Sequence, residues 1–245
     1  MKKIILSVIL ALASASAFAT DLVDKSASSS LLTFGVRAGW NSSGQSVSLD
    51  DVPGKTNFNW GSGFVLGAVA DLNVRNFFSI QPGIFYENRS FDYSVIDNRP
   101  SQQMLHTING HTRFNLISIP VLASFKFNIS NAVKWFVEAG PYFAFGLGGD
   151  DEVEDISVNV SSSMDDGVSN YIYNPYTRDY YGNDPDESDW QHETFHWGLK
   201  AGTGLKMFKH FVVGIHYQFG FNNISRSPAR HINERSANVT LGFDF

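Results

Sequence analysis

The chain has 245 residues and a formal net charge of −6, a length that suits one domain or one barrel with large loops. It has no cysteine, which excludes disulfides, thiolate metal sites, a cysteine nucleophile and a lipid-modified N-terminal cysteine. The acidic balance and the lack of a basic stripe argue against nucleic acid as a partner, and the 21 Gly and 21 Phe lean towards β structure.

The first residues form a targeting segment. Lys2 and Lys3 supply a positive start, residues 4–13 are apolar except for Ser7, and Ala17-Phe18-Ala19 is a small-residue cleavage signal. The expected signal peptide is 1–19, with 20–245 as the mature chain. Beyond it no run reaches the roughly 18 apolar residues of a spanning helix, so any membrane contact falls to strands.

Eight segments then alternate with period two: 32–41, 62–72, 77–87, 114–127, 133–145, 194–206, 211–221 and 237–245. Most are about 9–13 residues long, the length of a tilted strand crossing a bilayer. The connections run short, long, short, long, the pattern of an up-and-down barrel with tight turns on the periplasmic side and large loops outside. Three prolines, Pro82, Pro120 and Pro141, fall inside these segments, where each removes a ladder hydrogen bond and calls for a bulge or an interruption.

The two faces of the strands differ. One face carries no charge: Phe34, Val36, Trp40; Phe64, Leu66; Ile80, Ile84; and so on to Leu241 and Phe243. The other is Gly-rich and polar and holds Arg37, Gln81, Glu138, Lys200, His216 and Gln218. A soluble barrel packs its apolar face inward, around a core or a ligand. Charges spread over the opposite face put lipid on the apolar side, where a central charge costs about 2–4 kcal/mol. The fold class expected is therefore all-β: an eight-stranded antiparallel up-and-down transmembrane β-barrel. Aromatics gather towards both strand ends, as the girdles at membrane interfaces do.

Within the lumen, Arg37, Gln81, Glu138, Lys200, His216 and Gln218 form the expected polar network. Its centre is an ion pair between Glu138 and Lys200 on sequential strands. An eight-stranded interior is just wide enough for side chains, so the simplest role is a plug whose charges satisfy one another. A charge-lined conduction path for ions or small solutes is the alternative.

The segment 146–193 holds more than half of the chain's 24 acidic residues and a single base, Arg178. It also holds Tyr171, Tyr173, Tyr176, Tyr180, Tyr181 and Trp190, which point to a self-packed cap or a surface for an extracellular ligand or protein. Asp184, Asp186, Glu187 and Asp189 offer the carboxylate chemistry of a divalent-cation loop, without the glycine and terminal glutamate of an EF-hand. A solvated acidic loop is the simpler reading, and no metal or other cofactor is expected. His196 at the outer rim is the one histidine placed for a rim enzyme acting on lipid or peptide, but no G-x-S-x-G or triad spacing accompanies it. The expectation is a protein that is not an enzyme.

The segments FGVRAGWN, FFSIQPGIFYE, LISIPVLASFKF and WFVEAGPYFAFGL resemble the bacterial outer-membrane β-barrel domain family often labelled porin family or PorT-like. The three in-strand prolines belong to that family's pattern. Phe245, ending LGFDF, resembles the aromatic C-terminal signal read by the barrel-insertion machinery. The resemblance implies an eight-stranded barrel in the outer membrane of a Gram-negative bacterium, in contact with outer-membrane lipid. It implies no single biochemical activity.

Overall fold

A computed structural model describes residues 22–49, 55–99, 104–160, 169–181, 191–227 and 230–245. The expected signal peptide lies outside the described residues. Nine antiparallel strands are present among them: β1 (Leu32–Leu49), β2 (Lys55–Arg75), β3 (Phe78–Arg99), β4 (Met104–Asn128), β5 (Val133–Val160), β6 (Ser169–Asp179), β7 (Phe195–Met207), β8 (Phe211–Gly220) and β9 (Arg230–Asp244). Eight of them close into a ring in the order β4-β3-β2-β1-β9-β8-β7-β5, with β5 pairing back onto β4. The ninth, β6, pairs with the outer half of β5 alone. The period-two reading thus yields the eight-stranded barrel that it predicts.

Alternation sets the two faces. Phe34, Val36, Trp40, Leu66, Ile84, Leu199 and Leu241 are exposed on the outer wall, while Arg37, Glu87, Glu138, Lys200 and Gln218 are buried inside. With lipid as solvent, closure is what satisfies every backbone N–H and C=O without a free edge. Each proline sits beside an interruption of a ladder whose register is otherwise kept. The β2–β3 pairs skip from Val69/Gly83 to Leu72/Ile80. The β3–β4 pairs skip from Pro82/Val121 to Phe85/Ser118, and the β4–β5 pairs from Pro120/Tyr142 to Ala123/Ala139.

The structure corrects the expected long loops. Three of them are largely strand: β1 runs on to Leu49, β3 to Arg99 and β5 to Val160, each paired with its neighbour well beyond the apolar belt. Above the bilayer neither face needs to be apolar, so the alternation that marks a strand disappears while the pairing continues. At the level of Phe145 and Phe195, β5 leaves β7 and takes up β6 instead. The wall there is crossed by backbone from two further segments: His192 N bonds Tyr180 O at 3.0 Å, and Glu193 N bonds Ile224 O at 2.7 Å.

Candidate functional site: the lumen and its cap

The interior is filled in three layers. Nearest the periplasm, Asp71 accepts from Ser79 Oγ, Gln81 Nε2 and Lys126 Nζ, each at 3.0 Å. Beside it Asp244 takes Arg37 at 2.7 Å and Lys206 at 2.5 Å. Buried carboxylates persist when cations and donors fill their lone pairs, as here.

The second layer holds Glu138, bonded to His216 Nε2 at 2.6 Å. The register explains the pair. Glu138 lies opposite Gly202 on β7, and Gly202 lies opposite His216 on β8, so the three share one row. A Cβ at Gly202 would collide with the imidazole, so only glycine lets the ring of His216 cross its strand and reach the carboxylate. The expected Glu138–Lys200 ion pair is not formed. Lys200 is opposite Gly140, two residues further along, and its ammonium lies 4.6 Å above the Phe85 ring in a cation–π contact. Arg37, Gln81, Glu138, Lys200 and His216 surround a cavity of about 30 Å3, room for a water rather than a solute.

The third layer is a cluster of charges that crosses the barrel. Arg89 bonds Glu87 at 2.7 Å and Glu234 at 3.1 Å, and it donates to the Gln218 side-chain oxygen. Gln218 Nε2 returns to the other oxygen of Glu87 at 3.0 Å. His196 Nδ1 meets Glu234 at 2.7 Å and its Nε2 meets the Glu193 carbonyl at 2.9 Å. Glu87, Arg89, Gln218, Glu234 and His196 are all nearly inaccessible.

Above this cluster the acidic segment folds into the mouth. Tyr180 stacks on Phe114 (centroids 4.5 Å apart) and on His192 (4.1 Å), so that three rings form one pile. Phe91, Leu116, Tyr142 and Ala144 pack around it. The Tyr180 hydroxyl accepts from Gln45 Nε2 at 2.7 Å and donates to Glu234 at 3.4 Å, tying the cap to the charges below. Tyr181 packs its ring against Gly146, where a Cβ would collide with it. Beside the pile Asp151 receives Arg178, the Tyr93 hydroxyl (2.7 Å) and Thr112 Oγ1 (2.8 Å). Burial, and then the nearby Glu234 carboxylate, push the Tyr180 and Tyr181 phenols well above their usual range, which keeps both neutral. Burial pulls His192 down to about 4 against the opposing pull of Glu234 and Asp151.

A closed strand ring, an uncharged outer belt and a polar, filled interior together describe a small outer-membrane barrel. A family model described as an outer membrane protein beta-barrel domain matches residues 24–226. This chain belongs to that family. As an outer membrane beta-barrel protein it resides in the outer membrane of a Gram-negative bacterium. Among solved structures it is similar to Ail of Yersinia pestis in complex with the heparin analogue sucrose octasulfate: 15% identity, 88% of this chain and 100% of that chain covered, TM-score 0.38. It is likewise similar to OprG of Pseudomonas aeruginosa (11% identity, 91% and 98% covered, TM-score 0.42). A third is Neisserial surface protein A (14% identity, 86% and 97% covered, TM-score 0.37). No curated protein matches the chain.

In this family member the six residues expected in the lumen all lie inside the wall, but in three layers rather than one network. Arg37 and Gln81 belong to the first, Glu138, Lys200 and His216 to the second, and Gln218 to the third. Sequence reasoning missed the centre of the third layer, because Arg89 and Glu234 fall in stretches that read as loops. Tyr180 and Tyr181 serve the cap, whereas Tyr173 and Tyr176 are exposed on β6. Asp184, Asp186, Glu187 and Asp189, with Trp190, lie outside the described residues. Among the described residues no group of three or more His, Asp or Glu side chains is placed to hold a metal ion. Phe245 is exposed at the periplasmic end, its N–H bonded to Phe34 O at 2.8 Å.

Proposed function

We propose that this outer-membrane barrel is a closed anchor that displays its extended hairpins outside the cell, and that it neither conducts solutes nor catalyses a reaction. The observation that carries this reading is the third layer. Glu87, Arg89, Gln218, Glu234 and His196 join strands from both sides of the ring and fill the lumen, and the Phe114–Tyr180–His192 pile lies over them. An eight-stranded interior filled in this way leaves no aqueous path of solute size. The surface on offer is the β5–β6 hairpin, where Ile172, Tyr173 and Tyr176 stand exposed beside an acidic face. An extracellular ligand or protein is the partner such a surface suits. His196 supports the non-catalytic reading, since its two ring nitrogens are engaged by Glu234 and the Glu193 carbonyl.

Single-channel recording of the purified mature chain in planar bilayers tests the proposal. The expected trace is flat across the voltage range. A stable, salt-dependent conductance of the wild-type protein would overturn the closed-anchor reading in favour of a small channel.

A further inference from the structure

The periplasmic end holds a second, larger cavity. Residues 22–31 run across the base of the barrel: Asn128 N bonds Leu22 O at 2.9 Å, Asn76 N bonds Ser26 O at 3.3 Å, and Asn76 Nδ2 bonds Asp24 at 2.8 Å. Between this strap and the first lumen layer lies a space of about 300 Å3 with Lys126, Lys134, Lys206 and Lys209 in its wall. That volume is at the lower end of small-molecule sites and ten times that of the cavity in the second layer.

The side-chain charges in the wall of this vestibule are those of its lysines. Lys126 and Lys206 are held by Asp71 and Asp244, but Lys134 and Lys209 have no carboxylate within ion-pairing distance among the described residues. The charges of Lys126, Lys206 and Lys209 all bear on Lys134, and Asp24 is the acid that opposes them. Asp24 is itself occupied, accepting from the Ser26 amide and hydroxyl and from Asn76. Phe245 is also in the wall. Ser28 and Ser30 donate their hydroxyls to the Ser30 and Leu32 carbonyls, and His210 Nδ1 meets the Asp244 carbonyl, so the Ser29 hydroxyl and His210 Nε2 are the groups these residues leave for a ligand.

Backbone geometry adds an independent observation. The β7–β8 hairpin turns through Phe208 and Lys209, with His210 N bonded to Met207 O at 3.1 Å and positive φ at both residues, 51° and 68°. Such a turn favours Asn-Gly. Holding two ordinary side chains in the left-handed region is unfavourable, because each Cβ crowds the following carbonyl oxygen. The strain sets a lysine at the lip of a cavity already lined by three others.

We propose that this vestibule is a binding site for a phosphate group presented from the periplasm, with Lys134 and Lys209 as its charge partners and the Ser29 hydroxyl as a further donor. Lysine meets phosphate as a point charge, and two ammonium groups without a carboxylate partner leave positive charge for a phosphate oxyanion to neutralise. Free phosphate esters and the headgroups of anionic phospholipids share the phosphate oxyanion, a dianion in a monoester and a monoanion in a diester such as phosphatidylglycerol.

The test uses the mature full chain in detergent. Inorganic phosphate is titrated by 31P NMR, and in parallel the protein is reconstituted in vesicles of phosphatidylcholine with or without phosphatidylglycerol, counting co-purified phosphatidylglycerol. The expected result is saturable binding that weakens about tenfold or more in Lys134→Gln/Lys209→Gln and is unchanged in Arg113→Gln, an exposed extracellular control. Loss of phosphate binding assigns a soluble ester. Loss of retained phosphatidylglycerol alone assigns a lipid headgroup. Should the double variant fail to insert, Lys209→Gln on the exposed turn provides the same comparison. Wild-type binding that is absent, or that falls equally in Arg113→Gln, overturns the proposal.

Discussion

Arg89 on β3 and Glu234 on β9 are 145 positions apart in the sequence and meet at 3.1 Å inside the barrel. Removing one member of a buried, hydrogen-bonded charge group leaves the others without compensation and costs about 3–5 kcal/mol. Arg89→Leu strands two carboxylates at once, Glu87 and Glu234. It is expected to lower the urea midpoint of the barrel in detergent, read as loss of the fast-migrating unboiled band. The triple variant Glu87→Gln/Arg89→Leu/Glu234→Gln should recover much of that loss, because the arginine and the two carboxylates that it compensates are removed together. An Arg89→Leu protein as stable as wild type would show that the cluster is solvated rather than a plug.

The cap carries a pH dependence through His192. Its ring is buried on Tyr180, and burial lowers it from 6.5 to about 4. The unfolded segment therefore binds the proton more readily than the folded one. The cap is fully stable above pH 6.5 and loses stability as pH falls towards 4. The difference corresponds to about 3 kcal/mol over that window. Amide-exchange protection of His192 and Glu193, corrected for intrinsic rates, should fall from pH 7 to pH 4.5 in the wild type. His192→Phe keeps a ring on Tyr180 without a titrating group and should flatten the profile; an unchanged slope would place the dependence elsewhere.

How much of this was legible in the sequence follows the solvent on each face. In the bilayer zone, apolar and polar residues alternate because lipid lies on one side and a packed lumen on the other, so Arg37, Gln81, Glu138, Lys200, His216 and Gln218 could be placed inward from period two alone. Their partners could not, because pairing depends on stagger between strands. Glu138 shares its row with Gly202 and His216, while Lys200 sits two residues away. Outside the bilayer the pattern lapses although the strands go on, which hid β6 and made Arg89 and Glu234 read as loop residues. The tyrosine-rich acidic segment was legible as a cap or a surface; it proves to be divided, with Tyr180 and Tyr181 inside and Tyr173 and Tyr176 outside.

Tyr180 separates the contribution of stacking from that of hydrogen bonding. Tyr180→Phe keeps the pile with Phe114 and His192 but loses the bonds to Gln45 and Glu234, and it should destabilise the cap by about 1 kcal/mol. Tyr180→Ala removes the middle ring and should cost about 3–5 kcal/mol. Both losses belong to the cap, so exchange at His192 and Glu193 should rise stepwise while the heat-modifiable band of the barrel stays in place. Equal effects of the two variants would mean that the hydroxyl, not the ring, holds the mouth closed.

The outer wall makes a depth-dependent prediction. Leu241 is 64% exposed and pairs with Ala38 near the middle of the apolar belt, whereas Leu31 is 74% exposed at the periplasmic edge. Exposure is therefore similar at the two sites, and only the surrounding solvent differs. If Leu241 faces hydrocarbon, Leu241→Arg should cost about 2–4 kcal/mol and Leu31→Arg about 0–1 kcal/mol. Refolding into short-chain phosphatidylcholine vesicles across a urea series measures both. Equal costs at the two positions would mean that no hydrocarbon layer surrounds Leu241, and the uncharged face would then need another partner. A large difference between them would fix the barrel's vertical position in the membrane, with the Arg89 cluster at the outer interface and the lysine vestibule opening to the periplasm.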